Sequence, residues 1–247
     1  GWFYQQLLKL GAPDGIPDLS EWYVVWDSDL LPVATWPLLQ GDRHCFALLQ
    51  HNQYGNPKIV ATWADWIRQV LDVEPLTDAE GTFIPHHMWF KQAHLASLKR
   101  RLGDYFASQE SWLLLMMRSA QQFGTFGEYW LYSSWVAAQA PADLAFHPYT
   151  DYGATTERFF DDGTGLFYTT FRAKNPLNLP EDQLSDLSVT APTYQELLAF
   201  IKDEYGSDPL PSSLSFESSP RHLNKDRQTL HIEETRSRWN PRPDLAA

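Results

Sequence analysis

Cysteine is nearly absent from this chain of 247 residues. The single Cys45 excludes an intrachain disulfide framework and a zinc site built from several thiolates. Long apolar runs are missing as well, since the closest one, Trp112 to Met117, is far shorter than the ~20 residues of a membrane span. No signal peptide is evident. The sequence therefore predicts no membrane span in this chain, and it leaves the compartment open between the cytoplasm and a Golgi-type lumen.

Basic residues are outnumbered in this chain. It carries 19 Lys and Arg against 31 Asp and Glu, which gives a net charge of −12 and a pI near 5.0. No sustained basic face exists to neutralise phosphates, so a nucleic-acid partner is not expected. The Gly-rich phosphate loop, the Gly-x-Ser-x-Gly nucleophile elbow and the His-Glu-x-x-His metal helix are also missing. These absences exclude the chemistries that depend on those signatures.

The residues that are present indicate a globular α/β protein. Hydrophobic residues make up 43% and charged residues 20% of the chain, as in folded domains. Aromatic residues make up 15%; we expect most of them to pack in the core, and a platform for a sugar ring is the alternative role for some of them. Stretches with strand character alternate with stretches of helical periodicity, which predicts the α/β class. We expect one domain over 1–207 and a Pro/Ser-rich, basic tail over 208–247.

The first predicted helix covers 2–10, and Gly11 and Pro13 are expected to stop it. The other predicted helices are 58–71, a segment that ends near 102 before Gly103, 111–122, 125–139 and a segment that ends at 205. The predicted strands are 22–26, 43–50, a short one within 81–90, 145–148 and 166–171.

The run from Glu21 to Leu31 is the most informative strand. Its Val and aromatic residues predict a short buried strand, and it ends in Asp27 and Asp29. Side chains at i and i+2 point to the same side, so we expect the two carboxylates to converge beyond the carboxyl end of the strand, where open α/β sheets bind ligands. Two hard oxygen ligands there predict Mg²⁺ or Mn²⁺ carrying a diphosphate. The alternative is a polar strand end with a turn.

Glu128 is the candidate acid or base. It lies in the first turn of a predicted helix, among Phe126, Tyr129 and Trp130. The aromatic neighbours predict partial desolvation, which raises a carboxyl pKa toward the range of a general base, whereas the helix dipole lowers it. The alternative role is that of a charge at a helix N-terminus.

Two neighbouring histidines and a basic cluster are further candidates. His86 and His87 follow a predicted strand, and each offers a metal ligand or a donor to a phosphate or sugar hydroxyl. Neighbours on a strand point to opposite sides, so at most one of them is expected to face the site. The alternative is one core and one surface histidine. Arg221 belongs to the densest basic cluster, in the tail, which predicts either a diphosphate clamp or a solvated tail.

Three blocks follow one another along the chain. They are Gly1-Trp2 with Gln5-Gln6-Leu7-Leu8-Lys9-Leu10 before Trp26-Asp27-Ser28-Asp29, then Phe83-Ile84-Pro85-His86-His87-Met88, and then Phe126-Gly127-Glu128-Tyr129-Trp130-Leu131-Tyr132. Together they resemble an uncharacterised family of GT-A-type nucleotide-sugar glycosyltransferases, whose members carry Gln-Gln-Leu-Leu-Lys, Asp-x-Asp, a His-His-Met loop and a Ser-Glu-Tyr-x-x-Tyr helix start. The likeness covers about residues 1–140, and Gly127 stands where the family has Ser.

The resemblance implies a GT-A-like, Rossmann-related mixed sheet flanked by helices. It also implies a metal-dependent glycosyltransferase that moves a sugar from a nucleotide-sugar donor to a glycan or another hydroxyl acceptor. Asp27 and Asp29 would bind Mn²⁺ or Mg²⁺ with the donor diphosphate, and Glu128 would face the acceptor. By the same resemblance, one of His86 and His87 would line the donor site. Tyr129, Trp26 and, from the basic cluster in the tail, Arg221 complete the candidate donor- or acceptor-binding residues.

The start of the chain departs from that pattern. Only 26 residues precede Asp27, whereas such folds place a nucleotide-binding strand–helix–strand unit there. We therefore expect a fragment that lacks most of the nucleotide pocket. The alternative functions are a non-catalytic carbohydrate-binding or scaffold domain of the same fold and a metal-dependent phosphoesterase.

Overall fold

A computed structural model describes residues 2–33, 36, 38–50, 57–77, 81–82, 86–148, 156–161, 166–169, 188–190, 193–206 and 213–217. The helices are α1 (Trp2–Gly15), α2 (Pro57–Trp66), α3 (Gln92–Phe106), α4 (Trp112–Phe123), α5 (Glu128–Gln139) and α6 (Tyr194–Tyr205). A π-helical turn, Ile67–Leu71, continues α2, and a 3₁₀ turn, Pro141–Asp143, follows α5.

The strands are β1 (Trp22–Trp26), β2 (Leu30–Pro32), β3 (Leu39–Gln40), β4 (Arg43–Gln50), β5 (Gly81–Thr82), β6 (His87–Lys91), β7 (Leu144–Pro148), β8 (Thr156–Asp161), β9 (Leu166–Thr169), β10 (Ser188–Thr190) and β11 (Ser213–Glu217). Small sheets flanked by helices make the protein a mixed α/β fold, which confirms the predicted class. No helix in the described part of the chain is long and apolar enough to cross a membrane.

The chain forms two compact units. The first consists of Gly1–Asp27 and Pro37–Asp151, and the second of Ser28–Trp36 and Tyr152–Ala247.

The described residues of the first unit form two small sheets. In one, β1 pairs with β6 in an antiparallel register that runs from Trp22 opposite Lys91 to Trp26 opposite His87. In the other, β4 pairs with β7 in parallel, and with β3 and β5 in antiparallel fashion near its two ends. The mixture of parallel and antiparallel pairs within one unit is typical of a mixed sheet protein rather than of an all-parallel one.

Helix α5 is the centre of this unit. All nine residues from Glu128 to Val136 are buried, so the helix is covered on every face, as expected of a helix inside a core. Its polar side chains find partners there: the Ser134 hydroxyl donates to the Trp130 carbonyl, and the Tyr132 hydroxyl accepts from the Lys91 amide. The core around α5 includes large rings from α2 and β6, such as Trp63, Trp66 and Phe90.

The second unit contains a sheet of five described strands in the order β10-β9-β8-β11-β2. Strand β11 lies inside this sheet, parallel to β8 and antiparallel to β2. Helix α6 contributes Leu197 and Ile201 to a small core that contains Leu214 of β11. A segment that the sequence analysis assigned to the tail therefore forms an internal strand, while the tail residues 218–247, including Arg221, lie outside the described residues.

Several predicted boundaries are confirmed because local capping signals set them. The Ser111 hydroxyl accepts from the Leu114 amide at the start of α4. At the start of α6, the Thr193 hydroxyl accepts from the Glu196 amide and the Glu196 carboxylate accepts from the Thr193 amide, a complete capping box.

Two glycines were wrongly predicted to stop helices. Helix α1 continues through Gly11 and Pro13 to Gly15, and a Cβ on Gly11 would lie 3.1 Å from the Trp112 ring, so this glycine permits close packing rather than termination. Helix α3 likewise runs through Gly103 and ends at Phe106, where Ala107 takes a left-handed conformation (φ 46°). Strand β8 and strand β11 are also absent from the sequence prediction.

The Gly127 position generates a stability prediction. A Cβ there would lie 2.7 Å from two ring atoms of the buried Trp63, so Gly127→Ala must displace a core ring. We expect a loss of about 1–3 kcal/mol in the free energy of unfolding, measured by urea denaturation. Gly15→Ala is the matched control, because a Cβ at Gly15 meets no atom within 4 Å. Equal stability of the two variants would contradict the prediction.

Candidate metal centre

Asp27 follows β1 and is held in one orientation by three contacts. Its backbone N–H donates to the His86 carbonyl at 2.8 Å, which continues the β1–β6 pairing by one residue. Its Oδ1 accepts from the Lys9 ammonium at 2.6 Å and from the Tyr129 hydroxyl at 3.0 Å. Its Oδ2 lies 3.9 Å from His86 Nδ1. One carboxylate oxygen is thus engaged by the protein, and the other faces the imidazole.

Asp27, Asp29 and His86 make up the cluster of candidate ligands, and all three residues are partly exposed. Within the first unit, Asp27 Oδ2 lies 3.9 Å from His86 Nδ1. Asp27 and Asp29 are two residues apart in one loop, so local backbone geometry keeps them close. Ligands on opposite sides of Mg²⁺ are about 4.2 Å apart, so Asp27 Oδ2 and His86 Nδ1 have a spacing that two ligands of one ion can take.

The donor chemistry of the cluster fits a divalent cation. Carboxylates suit Mg²⁺ and Mn²⁺, and imidazole suits the softer first-row metals. Two carboxylates and one imidazole therefore fit Mn²⁺ well and Mg²⁺ acceptably. Partial exposure leaves room for further ligands from water or a substrate phosphate, as is usual for these ions.

The pairing of β1 with β6, which the sequence analysis did not predict, explains why His86 joins Asp27. Strand β1 pairs with an antiparallel partner, so Asp27 does not lie at a carboxyl edge shared by parallel strands. The antiparallel register instead places the residue before β6 opposite the residue after β1. His86 therefore lies beside Asp27 because of strand pairing, which also joins the Asp-x-Asp and His-His blocks of the sequence.

The two histidines point in different directions, as predicted. His86 faces Asp27, whereas His87 is 1% exposed and its ring lies 5.0 Å from the Trp26 ring. His87 is therefore a core residue in this structure and lies outside the candidate ligand set. Trp26, predicted to bind donor or acceptor, packs against it and is partly exposed.

Lys9 connects the candidate metal site to Glu128. Its ammonium lies 2.7 Å from Glu128 Oε1 as well as 2.6 Å from Asp27 Oδ1, and 4.2 Å from the centre of the Tyr129 ring. Both Lys9 and Glu128 are buried. Burial alone would lower the pKa of Lys9, but the Glu128 and Asp27 carboxylates together raise it above the usual value. Lys9 is therefore charged, and two carboxylates from different elements share its charge.

Glu128 is more deeply buried than the sequence analysis expected, with 4% of its surface exposed. Burial raises the pKa of its carboxyl, and the Lys9 ammonium opposes that effect. Its backbone N–H donates to Gln6 Oε1 at 3.1 Å. Tyr129 is also buried, and its hydroxyl contacts Asp27 rather than an open surface. The predicted roles of Glu128 and Tyr129 toward an acceptor or donor stay predictions.

Lys9 and Gln6 were missed as site residues. A signal was available, because both lie in the Gln-Gln-Leu-Leu-Lys block and residues three apart share one face of a helix. What the sequence could not show is that this face of α1 packs against the start of α5.

Comparison with known proteins places the chain in a family. A family model described as "Family of unknown function (DUF6492)" matches residues 1–170. The chain belongs to this family. No curated protein and no solved structure matches this chain. The matched segment contains every residue of the candidate metal centre, together with Lys9 and Glu128.

The buried His87 generates a pH prediction. Burial, with a smaller contribution from His86, lowers the pKa of His87 to about 3, against ~6.5 for an unfolded histidine. Between these values the unfolded chain binds a proton that the folded chain does not bind. The contribution of neutral His87 to the free energy of unfolding is thus fully present above about pH 6.5. It falls toward pH 3, by up to about 1.4 kcal/mol per pH unit.

The test is urea unfolding between about pH 4 and 7, with chelator present, for the native sequence and for His87→Phe. We expect a shallower loss of unfolding free energy at acid pH in the variant, because its ring cannot be protonated. Parallel pH profiles for the two proteins would contradict a buried, neutral His87.

Proposed function

We propose that this protein is a metal-dependent glycosyltransferase that moves a sugar from a nucleotide-sugar donor to a glycan or another hydroxyl acceptor. The observation that carries the proposal is the pair of Asp27 and His86 at the end of a hydrophobic strand, where Asp27 Oδ2 lies 3.9 Å from His86 Nδ1, with Asp29 two residues further along the chain. The resemblance of three sequence blocks to GT-A-type enzymes supports the same reading, and we propose a GT-A-like fold for the first unit.

In this proposal, Asp27, Asp29 and His86 would hold Mn²⁺ or Mg²⁺, with Asp27 Oδ2 and His86 Nδ1 as two of the ligand atoms. The bound cation supplies Lewis-acid neutralisation of the departing diphosphate. The chain's own residues orient the ligands: the Tyr129 hydroxyl holds Asp27 through Oδ1, and the backbone hydrogen bond from the Asp27 N–H to the His86 carbonyl keeps His86 beside it.

Glu128 is the proposed base of an inverting reaction, in which the acceptor hydroxyl loses a proton as it attacks. A carboxyl pKa raised by burial favours this role. The contact between Glu128 Oε1 and Lys9 requires the acceptor to reach the other carboxylate oxygen. A retaining enzyme would need no such base.

The metal part of the proposal predicts the behaviour of the ligand variants. Asp27→Asn and Asp29→Asn should each weaken Mn²⁺ binding at least about tenfold, measured by isothermal titration calorimetry, because each removes a charged oxygen ligand. Asp65→Asn is the control, since Asp65 is an exposed carboxylate that pairs only with Arg68 among the described residues. Unchanged Mn²⁺ binding in both ligand variants would refute the site.

The transferase part predicts metal-dependent turnover. The full-length protein, given a panel of nucleotide sugars with Mn²⁺, should release nucleoside diphosphate, and Asp27→Asn should lower this rate on the order of 100-fold or more. Sugar binding that depends on neither metal nor nucleotide would favour the carbohydrate-binding alternative. Phosphate release from simple esters would favour a phosphoesterase. Normal transfer in the presence of chelator would overturn the mechanism.

The base assignment is tested separately. Glu128→Gln should lower transfer by about 100-fold or more, because it removes the proton acceptor. Mn²⁺ affinity should change little, since Glu128 is not a candidate ligand. Unchanged turnover in this variant would remove the role of Glu128 as base and leave the metal site standing.

A further inference from the structure

The Gln-Gln-Leu-Leu-Lys block has no role in the function proposed above, yet the structure places it next to the candidate metal centre. Lys9 is 9% exposed and is the only cation that the described residues bring into contact with Asp27 Oδ1. Its ammonium lies 2.6 Å from that oxygen, within the range of a charge-assisted hydrogen bond.

We propose that Lys9 is a positioning residue for the metal site, which holds Asp27 by Oδ1 so that Oδ2 is presented to the cation beside His86. This inference rests on the proposed function, since it assumes that Asp27 is a ligand. Lys9 itself makes no bond to the metal.

Three contacts support a positioning role. The Tyr129 hydroxyl donates to the same Oδ1 at 3.0 Å, so this oxygen receives two donors that fix the plane of the carboxylate. Oδ2 lies on the His86 side, 3.9 Å from Nδ1. The Lys9 side chain is in turn fixed by Glu128 Oε1 at 2.7 Å and by the face of the Tyr129 ring. A ligand held in this way loses little freedom when a metal binds.

A purely electrostatic role of Lys9 predicts a change in Mn²⁺ affinity that is opposite in sign to the change predicted by a positioning role. If Lys9 acted only through its positive charge, it would repel a divalent cation, and its removal would tighten Mn²⁺ binding. If it positions Asp27, its removal loosens the ligand and weakens Mn²⁺ binding. The sign of the change therefore separates the two roles.

The first measurement is Mn²⁺ affinity of the full-length protein and of Lys9→Met, by calorimetry or by electron paramagnetic resonance of the free ion. We expect Lys9→Met to bind Mn²⁺ about 10–100-fold more weakly, as is typical when a partner of a ligand is removed. Lys99→Met is the matched control: Lys99 also joins a carboxylate, Asp14 at 2.8 Å, to an aromatic ring, but it does not touch a candidate ligand. It should bind Mn²⁺ like the native sequence.

A double-mutant cycle tests whether Lys9 acts through Asp27. Asp27→Asn should weaken Mn²⁺ binding much less in the Lys9→Met background than in the native one, because the loosened carboxylate has already lost most of its contribution. Asp29→Asn should have the same effect in both backgrounds, within about threefold. Equal effects of Asp27→Asn in the two backgrounds would overturn the inference.

A second variant covers the case in which Lys9→Met leaves a buried Glu128 without its counter-charge and fails to fold. Lys9→Met combined with Glu128→Gln removes both charges at similar volume, so no lone buried carboxylate remains. Folding of each variant is checked by circular dichroism and thermal unfolding without metal. The folded double variant should show the same weakened Mn²⁺ binding.

The outcomes distinguish a failure of the positioning role from a failure of the proposed function. Mn²⁺ binding by the native sequence, with Lys9→Met binding as well or better, leaves the proposed function standing and refutes the positioning role. Failure of the native sequence to bind Mn²⁺ refutes both.

Discussion

A buried ammonium shared by two carboxylates is the interaction on which the first unit depends. Lys9 lies in α1, Asp27 follows β1, and Glu128 begins α5, so one charge ties three elements together. Removing an ammonium from water costs several kcal/mol, which only a good arrangement of opposite charges offsets. The elements must therefore meet in this one arrangement. The Gln6 contact to the Glu128 amide strengthens the same junction.

The two carboxylates that share the Lys9 ammonium lie in different environments. Asp27 is partly exposed and, within the described part of the chain, takes its Lys9 and Tyr129 donors at Oδ1, which leaves Oδ2 beside His86. Glu128 is buried and gives Oε1 to Lys9. A group that is partly exposed beside another carboxylate suits a metal ligand, whereas a group deep in the core is bound more strictly to its counter-charge. The geometry thus supports the metal centre more directly than it supports the base.

The packing of large rings explains a departure from the resembled family. Gly127 stands where that family has Ser, and here the Trp63 ring lies so close that no Cβ fits. The start of α5, and with it the position of Glu128, is therefore set by an aromatic ring from α2. The Trp63 ring fills the space that a side chain on Gly127 would occupy, so the sequence around either residue does not by itself explain the pair.

Short-range features were predictable from the sequence alone. The capping box of Thr193 and Glu196, the strand that ends at Asp27 and the proximity of Asp27 and Asp29 all depend on residues within a few positions of one another. Only the tertiary structure decided that His86 lies opposite Asp27, that His87 is buried, that β11 is an internal strand and that Lys9 reaches Glu128, 119 residues further on. These contacts depend on strand register and helix packing, which join distant segments and leave no periodic pattern in either segment alone.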